Sequence, residues 1–77
     1  MWHKGFPKED GQYFCVYQFS DGECLYQVCR FAHDLYNIDQ WDFSDKKGVG
    51  GFYINDREYG YLETEVTAWQ EIEEYRG

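Results

Sequence analysis

Residues 12–32 constrain the fold most, because two β-rich runs lie on either side of a tight turn there. The runs read Q-Y-F-C-V-Y-Q-F and C-L-Y-Q-V-C-R-F-A, and S-D-G-E separates them. Asp21-Gly22 as a two-residue loop predicts a type I′ turn, which needs positive φ at both positions. Gly adopts positive φ without steric cost, and Asp tolerates it better than most residues. The sequence therefore predicts an antiparallel hairpin.

The two-residue loop also predicts which residues face each other across the hairpin. In that register Tyr17 opposes Tyr26. Successive side chains of a strand point to opposite faces, so Cys15 and Cys29 are expected on opposite faces of the sheet. A slip of one residue would exchange the two faces.

A second hairpin is expected further along the chain. Phe52-Tyr53-Ile54 forms one short β-rich run, residues 55–58 are polar, and Tyr59-Gly60-Tyr61-Leu62 forms the return run. Two such runs of matching length around a polar turn are typical of a hairpin. Gly60 inside the return run indicates a bulge or a neighbouring aromatic ring that lies across the backbone.

Periodicity leaves the secondary structure of two segments open. In residues 33–41, apolar side chains recur at every third position, which fits a short helix capped by Asp34, but an extended segment fits equally well. In residues 62–75, the apolar positions fit a helix, whereas Thr64 and Val66 are β-branched and favour a strand. Each segment keeps both alternatives.

Length and composition predict one small globular domain over residues 1–77. A chain of this size buries only about 60% of its unfolded surface, and its 22% aromatic content supplies much of the apolar area. No stretch is apolar enough and long enough to span a membrane. Met1-Trp2-His3-Lys4 lacks the apolar core of a signal peptide. We therefore expect a cytoplasmic protein.

The charge balance narrows the possible partners. Fifteen Asp and Glu against seven Lys and Arg give a net charge of −8. Phosphate backbones repel such a chain, so we expect no direct nucleic-acid partner. We expect no membrane partner either, because no stretch could span a bilayer. The acidic surface either promotes solubility or faces a basic partner. In the second case the chain would act as a mimic of nucleic acid.

The sequence shows no catalytic, cofactor-binding or metal-binding pattern. His3 and His33 belong to no recognisable triad, and no phosphate-binding or dinucleotide motif occurs. Asp39, Asp42 and Asp45 do not have the spacing of a calcium loop. Three cysteines without a paired C-x2-C predict buried free thiols rather than a disulfide framework or zinc site. We predict a non-enzymatic protein with no cofactor and no metal.

Both ends of the chain match a known pattern. The matching residues are Trp2, Pro7, Gly11, the run Tyr13-Phe14-Cys15-Val16 and the ending V-T-A-W-Q-E-I-E-E-Y at 66–75. They resemble a family of short phage- and prophage-associated domains of unknown function, which begin with Trp, Pro and Gly and end in a Val-x-x-Trp segment. The resemblance implies a small β-rich domain that residues 66–70 close as a strand, and it implies no reaction. Glu71 and Glu73 stand where the family has prolines.

These patterns together predict a mainly β fold, all-β or α+β. We expect a small antiparallel meander sheet of four to six strands, with or without one short helix near 34–41. The strands are expected near 12–19, 24–32, 51–55, 59–62 and 65–72. The predicted core is Tyr13, Cys15, Val16, Tyr17, Leu25, Tyr26, Val28, Phe52, Ile54, Val66 and Trp69.

The aromatic residues exceed what so small a core can hide. A partly exposed aromatic patch is therefore expected, and such patches mark interaction sites. We predict an accessory domain of mobile-element origin that contacts an unidentified protein partner; no oligomeric state is predicted. The alternative is an acidic nucleic-acid mimic that inhibits a basic protein. The candidate interaction residues are Trp2, Trp41, Trp69, Tyr75, Glu71, Glu73 and Glu74.

Overall fold

One antiparallel sheet of five strands and one short helix make up the fold, as a computed structural model that describes residues 1–73 and Tyr75 shows. The elements are β1 (Gly11–Gln18), β2 (Cys24–Ala32), α1 (Leu35–Ile38), β3 (Gly51–Asp56), β4 (Gly60–Thr64) and β5 (Ala68–Glu71). The mainly β class, the antiparallel sheet and the short helix near 34–41 are confirmed. The closing segment is a strand, β5, and not the alternative helix.

The sheet is strongly curled. Its strand order is β4-β3-β2-β1-β5, so β1 to β4 form a meander and β5 returns to pair with β1. The four chain steps from Thr64 to Ala68 span at most about 15 Å, whereas four strand spacings of a flat sheet measure about 19 Å. The connection 65–67 can therefore join the two edges only if the sheet curves. Val66 packs on the main core, so the face that carries this core is the concave one.

The first hairpin forms where it was predicted, but its register differs by one residue. Tyr17 pairs with Leu25 rather than with Tyr26. The Gly22 N–H donates to the Phe19 carbonyl at 3.0 Å, and Gly22 has a φ of 92°. These features define a three-residue loop, a type I turn followed by a glycine bulge. This loop needs positive φ only at Gly22, whereas the predicted type I′ turn would also strain residue 21.

The one-residue shift corrects the predicted faces. Cys15 and Cys29 lie on the same concave face, and both side chains are buried. Leu25, Tyr26 and Val28, which were expected in the core, are 48%, 55% and 46% exposed. The prediction was wrong for Leu25 because it lies near the hairpin turn, outside the main core cluster. It was wrong for Tyr26 and Val28 because the correct register places them on the convex face.

The main core fills the concave face. Its buried members are Cys15, Cys29, Phe31, Phe52 and Trp69, and Tyr13, Ile54 and Val66 pack against them. The N-terminal segment covers this face: the Phe6 ring lies 5.0 Å from the Phe31 ring, and the Trp69 indole N–H donates to the Gly5 carbonyl at 2.9 Å. Cys15, Phe52 and Trp69 are thus buried as predicted.

A second core lies on the convex face beside β3 and β4. Its buried members are Ala32, Leu35, Phe43 and Tyr53, and Ile38 and Tyr61 pack against them. Helix α1 is held by Asp34, whose Oδ1 accepts from the N–H groups of Tyr36 and Gly48. The sequence did not predict this core, because periodicity left residues 33–41 without a defined inward face.

Both predictions for Gly60 were wrong, because the β3–β4 register runs without a bulge and the residue that approaches Gly60 is Asp42. Its φ is 81°, and a Cβ at this position would lie 2.6 Å from Oδ2 of Asp42. The same Oδ2 accepts from the Tyr61 N–H at 2.9 Å. The neighbour is therefore a carboxylate rather than an aromatic ring, and it connects the loop after α1 to β4.

Candidate functional site

Three aromatic rings cluster on the part of the convex face that lies away from α1. The Trp2 ring lies 5.7 Å from Phe14 and 6.2 Å from Tyr26, and the Phe14 and Tyr26 rings stack at 6.0 Å. Val28 pairs with Phe14 across the β1–β2 ladder. Ile72 borders the same shallow cavity as Phe14 and Val28. We name these five residues the aromatic patch.

The sheet holds the aromatic patch in place. Phe14, Tyr26 and Val28 are on paired strands, so their backbones are fixed. Main-chain hydrogen bonds at 2.7 and 2.9 Å pair His3 with Trp69 at the edge of β5. Because adjacent side chains of an extended chain point to opposite sides, His3 packs against Trp69 on the concave face while Trp2 reaches the convex face.

The aromatic patch remains open to solvent. Trp2 is 42% exposed and Ile72 is 44% exposed, and Tyr26 and Val28 are exposed to a similar degree. Single exposed apolar side chains are normal on a small domain, but a contiguous group of them marks a binding surface. The patch is therefore the best candidate for a functional site.

The predicted interaction residues occupy different places. Trp2 belongs to the aromatic patch, and exposed Glu73 lies beside Ile72 at its border. Exposed Glu71 pairs with Tyr13 and lies on the concave side. Trp69 is buried in the main core. Trp41 is exposed in the loop after α1, Tyr75 is exposed near the C-terminus, and Glu74 lies outside the described residues.

Phe14, Tyr26, Val28 and Ile72 were not among the predicted interaction residues. The signal that identifies three of them is the hairpin register. Once Cys15 and Cys29 share the concave face, Phe14, Tyr26 and Val28 must share the convex one. The register could be read only from the turn, which allowed two interpretations.

Most aspartate side chains accept hydrogen bonds from the main chain. Six of the seven accept a main-chain N–H through their carboxylates: Asp10, Asp21, Asp34, Asp39, Asp42 and Asp56. Such bonds are typical of Asp in turns. Within residues 1–73 and Tyr75, no group of three or more His, Cys, Asp or Glu side chains is placed to hold a metal ion. Much of the acidic charge thus has a local structural role.

The two histidines have structural contacts. His33 Nδ1 lies 2.6 Å from Oδ1 of Asp10, which also accepts the His33 main-chain N–H, so this pair joins the start of β1 to the end of β2. The His3 ring lies 4.6 Å from the Trp69 ring. Burial raises the pKa of Tyr53, which stays neutral at physiological pH. None of these groups is arranged as a nucleophile with its base.

The buried thiols interact with each other. A hydrogen bond with Cys29, together with burial, raises the pKa of the Cys15 thiol, and the same hydrogen bond lowers the pKa of the Cys29 thiol. Both side chains are buried, so reagents cannot reach them. The prediction of buried free thiols was wrong for Cys24, which is exposed next to the hairpin turn.

Alkylation should therefore distinguish the three thiols. We expect iodoacetamide to modify Cys24 quickly in the native protein and to reach Cys15 and Cys29 only after denaturation. Mass spectrometry of peptides from native and denatured samples measures this directly. A Cys24→Ser variant is the control and should take up almost no reagent while it is folded. Rapid native labelling of Cys15 would contradict the burial described above.

Among the described residues, no helix is long and apolar enough to cross a membrane. Comparisons with protein-family models, curated proteins and solved structures find no match to the chain. The resemblance of the chain ends to a phage-associated family, and the origin in a mobile element, therefore stay predictions.

Proposed function

We propose that this chain is a non-enzymatic domain that binds another protein through the aromatic patch. The observation that carries the proposal is the half-exposed cluster of Trp2, Phe14 and Tyr26 on a paired sheet. Aromatic side chains dominate the binding energy of protein interfaces. Rings that are already fixed before binding lose little further conformational entropy, which favours affinity.

The surroundings of the patch indicate the kind of partner. Glu73 borders the patch, and the chain carries a net charge of −8. An apolar centre with a charged rim is typical of a protein interface. The rim should therefore steer a partner that has positive charge around an apolar contact. In the alternative, the acidic mimic, charge alone would provide the binding.

The test is retention of a partner from extracts of the native host at low and high salt. Exposed charges are screened beyond about 8 Å at physiological ionic strength, so an apolar contact should survive high salt. Trp2→Ala should weaken binding by ~2 kcal/mol or more, as at an interface hot spot. Trp41→Ala is the matched control, because Trp41 is exposed but lies outside the patch.

The mimic predicts the opposite results. Neutralising Glu71, Glu73 and Glu74 to Gln would then abolish retention, and retention would fall steeply with salt. That outcome, with Trp2→Ala unchanged, would contradict the patch. If no partner is retained at either salt concentration, the proposal loses its main support.

A further inference from the structure

Strand β2 is paired with β3 along only a short part of its length. The pairing covers residues 30–32 and ends where Arg30 meets Tyr53. Along residues 24–29, β2 has β1 on one side and, within the described part of the chain, no strand on the other. A cavity of 410 Å³ lies between the two strands where the pairing ends, and Val28, Ile54 and Asn55 are among its lining residues. We name residues 24–29 the free edge.

The free edge presents a regular set of backbone groups. The Val16 carbonyl accepts from the Thr67 N–H on the β5 side of β1, so the backbone groups of Tyr17 face β2. Tyr17 pairs with Leu25, whose N–H and C=O therefore face β1. Backbone groups alternate in direction along a strand. The N–H and C=O groups of Cys24, Tyr26 and Val28 thus point away from β1, and such a row is a template for one more strand.

The side chains of the free edge are uncharged, so they too are suited to contact with one more strand. The segment reads C-L-Y-Q-V-C. Leu25 is exposed on the concave face, and Tyr26 and Val28 are exposed on the convex face as part of the aromatic patch. A strand added here would cover both groups at once. The missing strand would then explain why both Leu25 and Tyr26 are exposed, whereas the aromatic patch alone explains only the exposure of Tyr26.

Acidic turns border the open end of the space between β2 and β3. Asp21 and Glu23 belong to the turn before β2, while Asp56 and Glu58 lie at the turn after β3 and are accompanied by Arg57. Because β2 and β3 are antiparallel and pair only at residues 30–32, both turns lie at the unpaired end. Their excess negative charge complements a strand that carries Lys or Arg.

A second copy of this chain fits the free edge less well than a single extended segment. A copy paired in parallel would bring its own acidic turn to the same place, where like charges repel, and a copy paired antiparallel would bring that turn to the narrow end beside Arg30 and Tyr53. Its β2 would arrive paired with β1, as a ribbon two strands wide. The space narrows to pairing distance at Arg30 and Tyr53, so a single strand fits it better.

We propose that the free edge binds an extended segment of a partner protein, about six residues long with alternating apolar side chains and flanking Lys or Arg, as an added strand. This inference rests on the proposed function, because Tyr26 and Val28 belong to both surfaces. It adds the mode of binding: the partner's backbone pairs with Cys24, Tyr26 and Val28, and its apolar side chains cover the aromatic patch.

The test uses a synthetic peptide, acetyl-K-V-T-V-T-V-K-amide, and the ¹⁵N-labelled full chain. Peptide addition should shift the amide signals of Cys24, Tyr26 and Val28 and slow their hydrogen exchange. Its matched control is the same peptide N-methylated at two adjacent central residues, which blocks both of its edges. N-methylation removes donors that pairing requires, so we expect the control to bind about tenfold or more weakly. Replacing the terminal Lys residues with Glu should also weaken binding.

A variant of the protein also tests whether the backbone of the free edge pairs with the peptide. Val28→Pro removes an N–H that points to the free edge and leaves the β1 ladder intact, which is a position where Pro is tolerated. It should lose the peptide while the amide spectrum away from β2 stays unchanged. Equal peptide binding by a folded Val28→Pro variant would overturn the inference. If the variant does not fold, the N-methylated peptide decides.

The remaining outcomes separate this inference from the proposed function. If both peptides bind equally and shift only signals of Trp2 and Phe14, the added strand is wrong but the patch still binds protein. If neither peptide binds at millimolar concentration, the added strand is overturned, and the host extract still tests the patch. Protection of residues 24–29 that rises with protein concentration alone would identify a second copy as the occupant and overturn the partner segment.

Discussion

Leu35→Ala is expected to lower the free energy of unfolding by about 3 to 4 kcal/mol, within the range for a buried Leu that leaves a cavity. Leu35 is fully buried in the second core, among Ala32, Phe43 and Tyr53. It is the buried residue of α1, so its truncation also loosens the helix from the sheet. A domain of 77 residues has a total stability of roughly 4 to 12 kcal/mol. Urea denaturation followed by circular dichroism measures the loss.

Leu25→Ala is the matched control, because it removes the same atoms from a side chain that is 48% exposed. It should change the free energy of unfolding by only about 0.5 to 1 kcal/mol. The comparison also tests the position of Leu25, which shares the concave face with Cys29 and Phe31 but lies outside the main core. A loss at Leu25 equal to that at Leu35 would contradict the exposure of Leu25.

The positions of the strands could be predicted from the sequence because the information is local. Runs of aromatic and β-branched residues form strands, and polar residues with Gly form the turns between them. The predicted 24–32 agrees with β2 (Cys24–Ala32), and the predicted 51–55 falls within β3 (Gly51–Asp56). The closing strand was also correct, although periodicity allowed a helix there. The observed β5 (Ala68–Glu71) is shorter than the predicted 65–72, and the β-branched Thr64 and Val66 lie before it, so its pairing with β1 stabilises the strand.

The register could not be predicted, because Asp21-Gly22 is compatible with two turns. In one turn both residues adopt positive φ, and in the other only Gly22 does. The two turns differ by one residue in the pairing, and one residue exchanges every side chain between the faces. Because of this ambiguity, Tyr26 and Val28 were assigned to the core. For the same reason Phe14, Tyr26 and Val28 were not identified as members of the aromatic patch.

Local sequence patterns also do not show which residues cover each face of the sheet. Phe6 covers the concave face from a segment that lies 25 residues before Phe31 in the chain, and Phe43 covers the convex face from a loop. Neither contact has a periodicity that reveals it. An excess of aromatic residues predicts that some of them stay exposed, but only the three-dimensional arrangement separates Trp2, in the patch, from buried Trp69.

Gly60→Ala is expected to lower the free energy of unfolding by about 3 kcal/mol, for two reasons. A non-glycine residue at a left-handed position costs about 1 to 2 kcal/mol, and the φ of Gly60 is 81°. In addition, the new Cβ would lie 2.6 Å from Oδ2 of Asp42, so this carboxylate must move away. It would then lose its hydrogen bond to the Tyr61 N–H, a charge-assisted bond that contributes about 1.5 kcal/mol or more.

Gly22→Ala separates the two contributions. Gly22 has a φ of 92°, but nothing lies within 4 Å of a Cβ built there, so only the backbone cost of about 1 to 2 kcal/mol should remain. Asp42→Ala completes a double-mutant cycle with Gly60→Ala. Because both changes break the same hydrogen bond, their effects on the free energy of unfolding should be less than additive. Equal losses at Gly60 and Gly22, or full additivity with Asp42→Ala, would mean that Asp42 does not anchor β4. Non-additivity would instead identify the loop after α1 as a support of β4, the edge strand of the hairpin that borders the free edge.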